Sequence, residues 1–144
     1  MAEGDGSIYN GIKSRLLKGE IDLTGDSPAD VVKVMLVVGY TPDIDADDKY
    51  SDVSASEVSD ASYSAGGNEL TGLAVSEDDT NDRALFNADD LTFTALSVGT
   101  PSHAIAYDDT HADKPLICYW EIGRASNGAD YTLTWGSVGL VVLT

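Results

Sequence analysis

The chain predicts a mainly β protein: an antiparallel β-sandwich or barrel with one short helix at its N-terminus. Three observations point there. Short runs of β-branched, aromatic and alternating apolar residues recur along the chain; clusters of Gly, Asn, Asp and Ser separate them; helical periodicity is confined to the first residues. The length of 144 residues suits one domain with one core. Apolar content of 42% and charged content of 23% are ordinary for a chain that buries a core, so this is not a disordered acidic tail. No internal repeat and no dividing linker is visible, so residues 1–144 are read as a single β-rich domain, with residues 1–18 as a helical segment available for docking.

The elements follow in order. In "SIYNGIKSRLLKG", Ile8, Ile12 and Leu16 recur every four residues and Leu17 widens the stripe. Ser7 is placed to cap the start and Gly19 to end the helix, while Gly11 weakens it by about 1 kcal/mol relative to Ala. "DVVKVMLVVGY" is almost continuously apolar and rich in Val, which predicts a central strand covered on both faces. The acidic stretch "GYTPDIDADDKYSDV" comes next, then a helical turn around Val53–Val58 and an extended segment near Tyr63. "NELTGLAV", "RALFNADD" and "LTFTALSVG" read as strands, with "SEDDTND" (Ser76–Asp82) as a polar turn. "HAIAYDD" is a further strand. In "LICYWEIG" the alternation places Leu116, Cys118, Trp120 and Ile122 on one face and Ile117, Tyr119 and Glu121 on the other. Asn127-Gly128 predicts a hairpin turn. "YTLTW" then returns with Tyr131, Leu133 and Trp135 inward, and "VGLVVLT" closes the chain as a strand.

Charge narrows the function. The net charge is −17, from 25 acidic and eight basic residues. Such a field repels nucleic-acid phosphates, which argues against DNA or RNA as a partner, and it suits high external salt, where carboxylate repulsion is screened. Residues 1–18 differ: three basic residues against two acidic ones give +1, leaving −18 on the remainder. That segment is where an acidic partner meets least repulsion. The longest apolar run is too short and too interrupted to span a bilayer, and "MAEGDGSIYNG" has no basic segment followed by an apolar run, so neither membrane insertion nor a leader is expected. One cysteine, Cys118, allows no internal disulfide and fits a reducing compartment.

Asp43, Asp45 and Asp47 match the first, third and fifth positions of an EF-hand loop. The sixth position is Asp48 where the sharp turn needs Gly, and the twelfth is Ser54 where a bidentate Glu is needed. A solvated loop, packed down by Tyr40, Pro42 and Tyr50, is the better reading. With 25 acids a carboxylate pair carries no information about glycoside hydrolysis. His103 and His111 are the two histidines. His103 starts a strand, His111 sits in a turn among Asp108, Asp109 and Asp113, and Cys118 lies on an apolar face, so zinc held by the histidines is not expected. G-x-S-x-G and P-loop motifs are absent, and Gly4–Gly6 follows no strand. Trp120, Trp135, Phe93 and Tyr131 point inward as core; Tyr40, Tyr50, Tyr63 and Tyr119 are the better surface candidates. No catalytic residue, cofactor or metal ligand is expected.

Several segments together resemble a known family. "IYNGIKSRLLKGEIDL", "VKVMLVVGYTPDIDADDKYSDV", "YSAGGNEL", "DDTNDRALFNADDLTFTA", "PLICYWEIG" and "YTLTWGSVGLVVLT" are similar, in the same order across nearly the whole chain, to small virion proteins of tailed bacteriophages, of the capsid decoration or cement type. The resemblance implies a small β-rich module on the outer surface of a phage head, assembled in the host bacterial cytoplasm. It would bind the major capsid protein, and copies of itself, at junctions between subunits. It implies no enzymatic activity. Within that reading Tyr9, Lys13, Arg15 and Tyr40 are the expected partner contacts, and "YTPDID" is a structural brace or inter-subunit contact rather than a cation site. A tail or neck protein of the virion, and a carbohydrate-binding or hydrolytic module, are the alternatives.

Overall fold

The computed structural model describes all residues except 1–2, 5, 25–28 and 137–138. In chain order the elements are β1 (Ser7–Ile8), α1 (Asn10–Leu17), β2 (Val32–Val37), α2 (Tyr50–Val53), β3 (Asn68–Glu69), β4 (Ala74–Asp78), β5 (Arg83–Asn87), β6 (Leu91–Phe93), β7 (His103–Asp108), β8 (Leu116–Glu121), β9 (Tyr131–Leu133) and β10 (Val141–Leu143). They make a five-stranded sheet in the order β1-β8-β7-β2-β3, a three-stranded sheet β10-β5-β4 and a two-stranded sheet β6-β9. Every ladder among the described residues is antiparallel. The protein is mainly β and sandwich-like, as its strand patterning predicts.

The apolar run of β2 is explained by burial on two sides. Val32, Val34 and Leu36 enter the main core, whereas Met35 and Val37 enter a second cluster on the opposite face. Neighbouring β7 alternates likewise, with Ala104 and Ala106 in the main core and Ile105 and Tyr107 in the second cluster. The main core lies between this sheet and the two smaller ones, which supply Phe86, Leu91, Phe93, Tyr131, Leu133 and Val141. Trp120 and Trp135 meet there with ring centroids 4.6 Å apart, and Cys118 is a buried free thiol beside them in the cluster. The second cluster comprises Tyr9, Met35, Val37, Val53, Ile105, Tyr107 and Leu116, with Tyr40, Tyr50 and Tyr119 packed against it.

The structure corrects several local expectations. The helix starts at Asn10, because Ser7 and Ile8 pair with Tyr119 and Cys118 at the edge of β8; Tyr9 takes the N-cap position without a side-chain cap bond. The Asn10 N–H is bonded instead by the Ile44 carbonyl of the acidic stretch. Gly19, at φ +69°, ends the helix as expected. Ile12 is buried, but Leu17 is 91% exposed and widens no core stripe. Along β8, the β7 register steps from Ala106↔Cys118 to Tyr107↔Leu116, so Ile117 is an extra residue in a bulge. Leu116 therefore joins Tyr107 in the second cluster, while Ile117 shares the main core with Cys118 and Trp120, against the simple alternation.

Asn127-Gly128 bends the chain, with Gly128 at φ +83°, but does not make a hairpin: β8 and β9 belong to different sheets, and the Gly128 N–H bonds the Leu96 carbonyl. "NELTGLAV" splits into β3 and β4 of different sheets. The helical turn expected around Val53–Val58 is a 3₁₀ turn at Ser54–Ser56, preceded by α2, whereas Tyr63 lies in a bend rather than an extended segment. Of the closing run, Val138 lies outside the described residues, as does Asp5 of the Gly4–Gly6 motif.

Candidate functional site

The acidic stretch is a lid over the second cluster. Its carboxylates bind its own backbone. Asp43 Oδ1 accepts from the N–H groups of Asp45 and Ala46, each at 3.1 Å. Asp47 Oδ2 accepts from the Asp43 N–H at 3.1 Å and from the Tyr40 hydroxyl at 2.5 Å. Asp52 Oδ2 accepts from the N–H groups of Asp48 and Lys49, each at 3.0 Å, and so caps α2. Asp45 is bonded by the Asn10 side chain, which joins the lid to α1. The bonds to Asp43 form an Asx-type turn and those to Asp52 a capping box, and together with the Asp47 bonds they make the stretch the ordered surface that its flanking aromatics predict.

Beyond the lid the chain runs along the part of the β2 edge that β3 leaves uncovered. The Val58 N–H bonds the Leu36 carbonyl at 3.0 Å, and the Tyr63 hydroxyl accepts from the Leu36 N–H at 3.1 Å, standing in for a strand carbonyl. Gly67, at φ +79°, passes so close to β2 that a Cβ there would sit 1.8 Å from the Val34 carbonyl oxygen. Glu57 fastens this arrangement. Its Oε1 accepts from the Tyr63 hydroxyl at 2.8 Å and the Gly66 N–H at 2.6 Å, and its Oε2 from the Tyr50 hydroxyl at 2.5 Å. Burial, then the bond to Glu57, pushes the Tyr50 phenol up to about 12.

The four expected contact residues fall in different environments. Tyr9 is fully buried, so it is a core residue and not a docking contact. Its hydroxyl lies 2.8 Å from that of Tyr40. Since the one proton of Tyr40 goes to Asp47, Tyr9 donates to Tyr40 and Tyr40 to Asp47. Burial, followed by that bond to Asp47, raises the Tyr40 phenol well above its ordinary range. Half-buried Tyr40 also meets His103 edge-on, with centroids 5.6 Å apart, so its role here is to anchor the lid. Arg15 is half-buried, paired with Asp113 and 3.5 Å from Glu20. Asp113 is held below the usual carboxylate range: its slight burial acts the other way, but the Arg15 guanidinium outweighs it. Lys13 is exposed, within 2.9 Å of the Asn10 side-chain oxygen. Of the four, Lys13 is the residue whose surroundings leave it open to a partner.

Beside Lys13 lies a feature the sequence does not announce. The face of the three-stranded sheet that buries Phe86 and Val141 continues outward through Val75, Ala84 and Leu143, since Val75 and Val141 both pair with Phe86 and Leu143 pairs with Ala84. With Leu16, Ile21 and Leu23 these residues line an apolar groove of about 190 Å³. Its rim is open: Val75 is 50% and Leu143 39% exposed, and Leu17 stands clear at the end of α1. Lys13 lines the adjoining depression with Val142, Leu143 and Thr144.

Elsewhere His111 Nε2 lies 3.5 Å from Asp30 Oδ2 and 3.6 Å from Asp108 Oδ2. The sequence places His111 among Asp108, Asp109 and Asp113 but gives no sign of Asp30, which only the pairing of β2 with β7 brings to the turn after β7. Asp109 is tied instead to Lys33 at 2.9 Å and Lys114 at 2.7 Å.

Compared with known proteins, the chain matches no family model, no curated protein and no solved structure.

Proposed function

We propose that this protein is a structural module of a virion, a capsid decoration protein of the tailed-phage type that docks on the outer face of the head and bridges major capsid subunits. The observation that carries the reading is the open apolar groove beside α1, the helix of the least acidic segment in a protein of net charge −17. A monomer normally covers such a sheet face, and a larger partner covers it without any reaction. Lys13, in the adjoining depression, suits an apolar capsid segment bordered by acidic groups. Each contact is modest, but repetition at many junctions of a closed shell makes the attachment cumulative, and binding only the assembled state stabilises that state by mass action. The resemblance of the sequence to small phage virion proteins gives the reading its specific form.

The test is a binding assay on mature heads that lack the protein. Saturable attachment to heads, with raised resistance to heating, supports the proposal; attachment confined to tails or necks replaces it with the tail reading. Deleting residues 1–18 is unsuitable, because it removes Tyr9 and Ile12 from the two cores. Leu17→Glu and Val75→Glu change exposed side chains and are expected to leave stability within about 0.5 kcal/mol of wild type. Both are expected to weaken head binding by at least about tenfold, the equivalent of about 1.4 kcal/mol. Wild-type affinity in both variants would eliminate the groove as the docking face.

A further inference from the structure

Asp108 ends β7 with its side chain wholly buried, and its Oδ2 has no hydrogen-bond partner. An unpaired buried carboxylate oxygen is costly. This one faces a second carboxylate oxygen, Asp30 Oδ2, and an imidazole nitrogen, His111 Nε2, and the three atoms lie within 4.8 Å of one another. His111 Nε2 likewise lacks a hydrogen-bond partner. Two carboxylate oxygens and a ring nitrogen converge on one point, and among the described residues neither Asp108 Oδ2 nor His111 Nε2 has a hydrogen-bond partner.

The spacing fits a cation. The His111 Nε2 distances of 3.5 Å to Asp30 Oδ2 and 3.6 Å to Asp108 Oδ2 are long for hydrogen bonds. They match the edge of a tetrahedron with metal–ligand bonds of about 2.0–2.2 Å, which is about 3.3–3.6 Å. The surroundings hold the donors in place. Asp108 Oδ1 accepts the Thr110 N–H at 2.8 Å, leaving Oδ2 pointed at the cluster. Asp30 Oδ2 accepts the Asp22 N–H at 2.7 Å and retains a lone pair. Thr110 Oγ1 bonds the Val31 N–H at 2.7 Å, which fastens the two ligand-bearing segments to each other. Such supporting bonds orient the ligands of a metal centre.

We propose that Asp30, Asp108 and His111 form a binding site for a divalent transition-metal cation of the zinc class. One imidazole with two carboxylates selects a borderline ion over calcium, which takes six to eight oxygen ligands. Asp30 and His111 are partly solvent-accessible, so water can complete the coordination. The ion would clip the segment before β2 to the turn after β7. The proposal stands independently of the docking function.

The test uses tag-free, full-length protein treated with chelator and dialysed against zinc at neutral pH in moderate salt. Elemental analysis is expected to plateau at about one zinc per chain, and the thermal midpoint is expected to rise with zinc until that plateau. Asp108→Asn and His111→Gln are each expected to weaken binding by at least about tenfold while circular dichroism stays native. His103→Gln is expected to bind as wild type. Calcium at the same concentration is expected to produce no comparable plateau. Zinc uptake that is unsaturable, equalled by calcium or unchanged in His111→Gln would mean that surface carboxylates alone collect the ion, and would overturn the site. So would a thermal midpoint that responds to pH but not to zinc, since a shared proton would then fill the cluster.

Discussion

Replacing Glu57 tests whether the lid and the edge of β2 are held by one carboxylate. Three donors converge on it: the hydroxyls of Tyr50 and Tyr63 and the Gly66 N–H, at 2.5–2.8 Å. Hydrogen bonds to a charged acceptor contribute about 1.5–3 kcal/mol each when sheltered, and less where water competes. Tyr50 is half-buried, and in Glu57→Ala its hydroxyl can turn to water; Tyr63 and Gly66 are buried and cannot do so freely. The expected loss for Glu57→Ala is therefore about 3–5 kcal/mol, dominated by the two buried donors. Glu57→Gln keeps an acceptor oxygen for Tyr63 and Gly66 but sets an amide NH₂ against Tyr50, so its expected cost is about 1–2 kcal/mol. Tyr50→Phe removes only the wetter bond, at about 1 kcal/mol. Urea unfolding followed by tryptophan fluorescence reports these values, because Trp120 and Trp135 pack against each other in the main core. For a chain of 144 residues each kcal/mol is worth about 3–5 °C in the thermal midpoint. Glu57→Ala within about 1 kcal/mol of wild type would refute the claim that this carboxylate is the fastening point.

Three further outcomes follow from named contacts. Tyr40→Phe leaves the buried Tyr9 hydroxyl without its acceptor and is expected to cost about 1–3 kcal/mol, whereas adding Tyr9→Phe should recover part of the loss; a strictly additive double mutant in urea unfolding would deny the relay to Asp47. Cys118 is wholly buried, and burial pushes its thiol far above the ordinary range, so a thiol reagent at neutral pH is expected to label it only at the rate of global unfolding; rapid labelling of native protein would place it elsewhere. His103 has a lowered pKa because partial burial disfavours the imidazolium, outweighing the pull of nearby Glu121. The unfolded chain therefore takes the proton first as pH falls below about 6.5, and the stability that neutral His103 supplies above that pH is lost as pH drops toward its folded value. NMR titration should find the His103 midpoint below that of an unfolded histidine, and a midpoint at or above it would reverse the sign.

What could be read in the sequence was what depends on local pattern. The nearly continuous apolar run of Val32–Val37, broken at Lys33, implied a strand buried on both faces, and alternation in "YTLTW" put Tyr131, Leu133 and Trp135 in the core. The identity of the second cover was not legible. It is the acidic stretch itself, and its polar composition conceals that Val53, Tyr40 and Tyr50 supply an apolar underside. The bulge at Ile117 was hidden as well, because a bulge is defined by the partner strand and leaves no mark in "LICYWEIG". Tyr9 sits beside a helix start, where an exposed and a buried tyrosine look alike; only the return of Tyr40 over it decides between them. The same holds for the groove and for Asp30 near His111. Each is a meeting of segments far apart in the chain, and residue spacing does not encode it.

The acidic residues do more than set solubility. The lid has almost no regular secondary structure, and a small domain ordinarily cannot hold such a segment still, because its backbone N–H groups must find partners and its conformational entropy must be offset. Here Asp43, Asp47 and Asp52 accept those N–H groups locally. Asp22 and Asp60 repeat the device elsewhere, and the bonds from Thr24 and Ser62 hold their carboxyls below the ordinary range. Each such bond sets the positive end of an N–H dipole against a carboxylate, which compensates part of the repulsion that clustering creates. A charge that would otherwise drive the loop open becomes the acceptor that keeps it closed. This explains how the carboxylates of "DIDADDKYSD" lie over a hydrophobic cluster without a cation among them being required for order. It also means that the acidity facing outward and the rigidity facing inward come from the same side chains. A partner approaching the lid therefore meets a fixed array of negative charge, and the groove beside α1 is left as the more hospitable face.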